Sequence, residues 1–125
     1  AMSFCTVVNC MDGRVQLPVI DFLQQRFGAE HVDSITEPGP IRILARQDDH
    51  AAVQSIVTRL KISIEKHGSS GVAVAGHHDC AGNPAGKEEQ LEQIRQSLQF
   101  LQERFQGLEM IGLWVDAQWK VHEVA

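Results

Sequence analysis

No stretch of this sequence approaches the roughly 18 consecutive apolar residues needed to cross a bilayer, and its N-terminus has no basic segment followed by an apolar one. A soluble, cytoplasmic protein without a membrane partner is therefore expected. Positive charge is scarce as well: 11 Lys and Arg stand against 16 Asp and Glu, giving a net charge of −5. The two signs are mixed along the chain, so there is no basic stripe to neutralise a phosphate backbone, and nucleic acid is not expected as a partner. Cysteines number only three. An odd count, with Cys5 and Cys10 on one apolar run, argues against a disulfide framework and leaves the thiols as metal ligands or core atoms. Internal repeats, low-complexity segments and Pro/Ser-rich linkers are missing too. Residues 1–125, with 43% hydrophobic content, are expected to form a single domain around one core of ordinary size. Ala1, ahead of Met2, reads as a cloning remnant outside the fold.

What the chain does contain is an alternation of short apolar runs with amphipathic ones. Residues 4–10 (FCTVVNC) are apolar and β-branched and end at Met11-Asp12-Gly13, which suits a strand buried on both faces. Pro18 opens a helical pattern with Val19, Ile20, Leu23 and Phe27, capped by Gly28. Residues 32–36 (VDSIT) predict a second strand, stopped by Glu37-Pro38-Gly39-Pro40; residues 41–45 receive no assignment. Asp48 or Asp49 can cap a crossover helix whose buried face is Val53, Ile56, Val57, Leu60 and Ile64, with Gly68 as terminator. Residues 71–76 (GVAVAG) are small, as in a central strand that a helix covers closely, and His77 follows at once. Leu91, Ile94, Leu98, Leu101 and Phe105 predict a third helix over about residues 87–106, and MIGLWVDAQWKVHEV reads as two strands around a turn near Asp116-Ala117. The fold class is α/β: a short, mostly parallel β-sheet flanked by helices, with an antiparallel C-terminal strand.

In such sheets ligands gather beyond the carboxyl ends of strands, where both Cys10 and His77 fall. Cys10-Met11-Asp12-Gly13-Arg14 and His77-His78-Asp79-Cys80 would bring two thiols and an imidazole together there. Thiolate and imidazole are ligands that zinc prefers, and two Cys with one His leave the fourth tetrahedral position to water, as in catalytic sites. His78 competes with His77 for the ligand role; strand position and H-x-x-C spacing favour His77, leaving His78 as a loop residue or proton shuttle. Asp79 suits either a turn or a supporting role. Two thiolates already cancel the charge of the ion, so something must favour hydroxide over water near neutral pH. Asp12, held by a fork from Arg14, can accept the remaining proton and orient the nucleophile. Cys5 is assigned to the core, and His31, His50, His67 and His122 to the surface.

C-x-D-x-R followed, one crossover later, by H-x-x-C, with Gly76 before His77 and Gly82 beyond Cys80, resembles the β-class carbonic anhydrases, in a small variant without the N-terminal helical arm. The resemblance covers roughly residues 4–84. It implies Cys10, His77 and Cys80 as ligands of one Zn2+ per chain and Asp12 and Arg14 as the catalytic dyad. It also implies hydration of CO2 to bicarbonate by a zinc-bound hydroxide, and a homodimer or higher homo-oligomer whose partner subunit completes the substrate slot. Val7, Val8, Val72 and Val74 are candidates for a wall of that slot. Glu37-Pro38-Gly39-Pro40 and Ala81 depart from the family pattern. A related zinc hydrolase of CS2 or COS, and a non-catalytic zinc-binding module, are the alternatives. A phosphatase- or sulfurtransferase-like use of Cys10 and Arg14 fits poorly, because such loops need more residues between the two to wrap an anion.

Overall fold

β1 (Phe4–Cys10) occupies the run predicted for it and is buried at every position but the first. The computed structural model describes residues 3–125; Ala1, read above as a remnant, and Met2 lie outside the described residues. β1 pairs in parallel with β2 (His31–Glu37) on one side and β3 (Gly71–His77) on the other. β3 in turn pairs in parallel with β4 (Glu109–Val115), and β5 (Val121–Glu123) closes the edge antiparallel to it. The sheet order β2-β1-β3-β4-β5 is the mostly parallel arrangement with an antiparallel final strand that the sequence predicts.

Between the strands lie four helices. A 3-10 turn at Gly13–Val15 leads into α1 (Gln16–Phe27), which starts two residues before Pro18. Proline is tolerated there because the first-turn N–H groups have no intrahelical acceptor. Residues 41–45, left unassigned from sequence, belong to α2 (Pro40–Arg46), which has Pro at its first position and Ile41 and Leu44 buried. Seven residues are too few to show a helical period. α3 (His50–His67) is capped by Asp49, whose side chain accepts from Ala52 N, and ends at left-handed Gly68. Its buried face closes on Ser63 rather than on Ile64, which is only partly buried. Ser63 is satisfied there by Asp33 and Ser69, both at 2.7 Å. α4 (Lys87–Arg104) covers the other half of that sheet face.

Side chains alternate across the sheet, so the core has two layers. Val8, Val72 and Val74 face α2, α3 and α4; Val7, Ala73 and Ala75 face α1. Close approach at one end of β3 depends on absent side chains: a Cβ on Gly76 would stand 2.7 Å from Ile41 Cδ1 and 2.8 Å from Gln90 Oε1. The loop after β2 lies as tightly on the loop after β3. Gly39, at φ +64°, would place a Cβ 2.7 Å from Asn83 Cβ, so these two loops meet only because glycine is present.

Candidate metal centre

Because β1 and β3 are adjacent and parallel, Cys10 and His77 emerge at the same edge of the sheet. Cys80 returns to them after a turn in which Asp79 adopts a left-handed φ of 58°. The Sγ atoms of Cys10 and Cys80 end 3.8 Å apart, and the donor atoms of Cys10, His77 and Cys80 all lie within 4.8 Å of one another, every residue buried. Two thiolates bound at about 2.3 Å to one tetrahedral ion would stand about 3.8 Å apart. The spacing is therefore that of a two-sulfur grip on one cation.

His77 is prepared in the same sense. Its Nδ1 donates to the His78 carbonyl at 2.7 Å, which assigns the proton to Nδ1 and leaves the Nε2 lone pair free. Among the described residues, Nε2 of His77 is the one buried side-chain nitrogen or oxygen without a hydrogen-bond partner. A buried orphan of this kind calls for an occupant, and the donor set of two sulfurs and one imidazole nitrogen fits zinc rather than a hard, oxygen-seeking cation. Electrostatics agree: the hydrogen bond from the Cys80 thiol draws Cys10 well below the usual thiol range despite burial, with further help from His77. The same contact raises Cys80. Burial opposes charge on His77, yet its contact with Cys10 raises its pKa. The cluster thus favours one thiolate even before any cation arrives.

Backbone placement is enforced by three amides that sequence reasoning passed over. Buried Gln90 accepts from His77 N and donates to His77 O and Ala85 O. Asn9 Oδ1 accepts from Cys10 N at 2.9 Å while its Nδ2 donates to Val15 O. Gln16 Nε2 donates to the carbonyls of Cys10 and Asp12, both at 2.8 Å. The available signal for Gln90 was its position four residues before Ile94, on the apolar stripe of α4.

Asp12 and Arg14 do meet. Arg14 Nη2 donates to Asp12 Oδ2 at 2.7 Å and Nε spans both carboxylate oxygens at 3.1 and 3.2 Å, while Arg14 N caps Oδ1 at 2.8 Å. This donation, from the guanidinium first, lowers the Asp12 carboxyl to about 2. His78 stays outside the cluster: its side chain is exposed and its N–H donates to Val115 O. His31, His50, His67 and His122 are exposed and Cys5 is buried, as assigned from sequence.

Two cavities open at this edge. One, of about 320 Å3, is bounded by His78, Asp79, Cys80, Lys87 and Trp114 among others. A second, of about 230 Å3, is mostly apolar and lined by Cys10, Met11, Asp12, Pro38, Ala81 and Gly82. The expectation that Val7, Val8, Val72 and Val74 form a wall is corrected: all four are fully enclosed in the core layers and line neither cavity. Apart from Cys10 at the end of β1 and Trp114 near the end of β4, the named lining residues come from loops and from α4, because the mid-strand valines are covered by helices.

Among the described residues, no helix is long and apolar enough to cross a membrane. Comparison with curated proteins finds no match. Among solved structures, the chain is similar to a carbonic anhydrase from Streptococcus mutans, with a TM-score of 0.66, 19% identity, and coverage of 97% of this chain and 81% of that one. A carbonic anhydrase from Glaciozyma antarctica gives 0.63 and 18% over the same shares, 97% and 81%. A tetrameric β-carbonic anhydrase from Sordaria macrospora gives 0.52 and 12%, covering 100% of this chain and 82% of that one. At these identities the likeness is one of fold. A family model described as "Putative carbonic anhydrase" matches residues 1–125. With that match over the whole sequence, and with the β-carbonic anhydrase fold beneath it, the chain belongs to this carbonic anhydrase family.

Proposed function

We propose that this chain is a zinc-dependent carbonic anhydrase, a single domain over residues 1–125 that hydrates carbon dioxide to bicarbonate. Cys10, His77 and Cys80 would hold one Zn2+ per chain, and Asp12 and Arg14 would be the catalytic dyad. The observation that carries this reading is the unpartnered Nε2 of His77, which shares a buried cluster with two thiols beside a forked Asp12–Arg14 pair. When bound, zinc would supply the Lewis acidity that makes water nucleophilic near neutral pH.

The protein's own groups divide the remaining work. Asp12 is an acceptor only, ionised at any physiological pH. It can take a hydrogen bond from the attacking solvent and so orient a lone pair toward carbon. Arg14 holds both carboxylate oxygens, which keeps Asp12 from turning in to compete as a fourth ligand. The apolar cavity beside Cys10 and Asp12 suits a small, uncharged heterocumulene and disfavours the bicarbonate ion, whose charge needs water. His78, exposed on the neighbouring cavity, is the candidate to pass the released proton to buffer. A purely structural metal has no need of Asp12 or Arg14, which favours the enzyme over a non-catalytic module. A homo-oligomer is also part of the proposal, supported by the tetrameric Sordaria macrospora relative in fold.

Stopped-flow hydration of CO2 by the zinc-loaded protein between about pH 7 and pH 9 tests the reading. A rate well above buffer is expected, with CS2 and COS run in parallel to settle the substrate. No rate above buffer with a full complement of zinc removes the enzyme.

A further inference from the structure

Arg14 is held on two edges and one face. One edge, Nε and Nη2, is on Asp12. The other is on Asp79: Nη2 donates to the Asp79 carbonyl at 3.0 Å and Nη1 to Asp79 Oδ2 at 3.3 Å. Across the flat face, the guanidinium carbon lies 4.4 Å from the ring centroid of Trp119.

Asp79 follows β3 and Trp119 lies in the β4–β5 turn, yet they share an unusual backbone. Their φ angles are +58° and +62°, and among the described non-glycine residues only Gln47, the C-cap of α2, joins them in that region. Left-handed backbone is tolerable for Asp but a clear outlier for a residue as bulky as Trp. Such strain persists only where surroundings enforce it, and it concentrates at functional sites. Here the enforcement is visible. Trp119 N donates to Asp116 O at 2.9 Å, and Asp116 Oδ1 accepts from Gln118 N and Lys120 N, closing the turn that lays the indole on Arg14. The left-handed turn at Asp79 likewise leaves its carbonyl on Nη2. Two unrelated loops therefore hold uncommon conformations at residues that touch one guanidinium.

We infer that Trp119 and Asp79 are positioning residues, which hold the Arg14 guanidinium so that its fork stays closed on Asp12. Arg14 needs such help, because 44% of its side chain is exposed and a free arginine would sample many rotamers. The indole face and the Asp79 carbonyl carry most of the effect. The Asp79 carboxylate, 72% exposed, forms a screened pair that adds little.

The catalytic consequence rests on the proposed reaction, while the positioning itself is readable without it. In the 15N-labelled protein, solvent exchange of the Arg14 Nε–H, assigned by its loss in Arg14→Lys, reports the fork directly. Trp119→Gly and Trp119→Asn both remove the ring and tolerate the left-handed backbone, so whichever is folded by circular dichroism serves. Each is expected to speed Nε–H exchange and to lower kcat/KM for CO2 hydration by about tenfold, chiefly in kcat, at unchanged zinc content. Trp119→Phe should restore most of both, and Asp79→Asn, which keeps the carbonyl and the turn, should change little. Unaltered Nε–H exchange in the ring-less variants overturns the inference. Should the parent protein hydrate no CO2 while exchange still responds to loss of the ring, the positioning stands and the proposed reaction alone fails.

Discussion

Gln90 grips His77 by both of its main-chain groups: its Oε1 accepts from His77 N at 3.1 Å and its Nε2 donates to His77 O at 3.0 Å. The contact ties α4 to the last residue of β3, so the helix that follows the strand decides where the imidazole stands. Replacing Gln90 by Leu keeps the volume but strands a buried N–H and a buried carbonyl. A loss of about 2–4 kcal/mol in urea denaturation is expected, along with zinc affinity weaker by about 10–100-fold in chelator competition. Affinity equal to that of the parent would show that Gln90 supports the fold only.

Removal of a ligand should be more severe. Because Cys10 and Cys80 are proposed to share one cation, Cys80→Ser is expected to abolish stoichiometric zinc, measured by elemental analysis on protein purified without chelator. Stripping zinc from the parent should lower its melting temperature, since metal bound only by the native state stabilises it by about 4 kcal/mol when free zinc exceeds Kd a thousandfold. A metal-free protein with the parent's stability would contradict the ligand assignment.

Asp12→Asn preserves shape and most hydrogen bonding to Arg14 but removes the negative charge. We expect hydration to fall by about 10²-fold in kcat, read by stopped flow, with zinc content unaltered. A variant as active as the parent would exclude Asp12 from the chemistry.

Asp116 supplies a pH test away from the metal. Its carboxyl is lowered from 3.8 to about 2, first by the hydrogen bond with His122 Nε2 at 2.7 Å and then by Lys120 N. A folded pKa below the unfolded one means that the unfolded chain takes up the proton first. The stabilisation is therefore complete above about pH 4 and is lost as pH falls toward 2. The stability difference between the parent and Asp116→Asn should shrink across that window in urea titrations. A difference constant down to the lower limit would refute the pairing.

Much of the secondary structure was legible because it is written locally. The Asp49 cap and Gly68 terminator of α3 act within a turn of the residues they serve, and the run Phe4–Cys10 is mostly apolar around β-branched Thr6, Val7 and Val8. α2 escaped notice, being held by packing of Ile41 and Leu44 rather than by any period of its own. Cys10, Asp12, Arg14, His77 and Cys80 stood out because each lies in a short motif at a strand end. Asn9, Gln16, Gln90 and Trp119 did not, since a polar or aromatic residue on a stripe looks the same whether it faces solvent, core or a partner in another loop.

By itself, the sequence determined which residues are candidates for ligand chemistry, the strands and three of the four helices along the chain, and the caps Gly28, Asp49 and Gly68, all set by side-chain type and by neighbours a few positions away. Tertiary structure alone decided that two sulfurs 70 residues apart stand 3.8 Å from each other, that Gln90 clasps the backbone of His77, and that Trp119 lies on Arg14. Those distances come from the pairing of β1 with β3 and from loops that close on glycine. Pairing between distant segments is a property of the packed sheet, which no local pattern encodes.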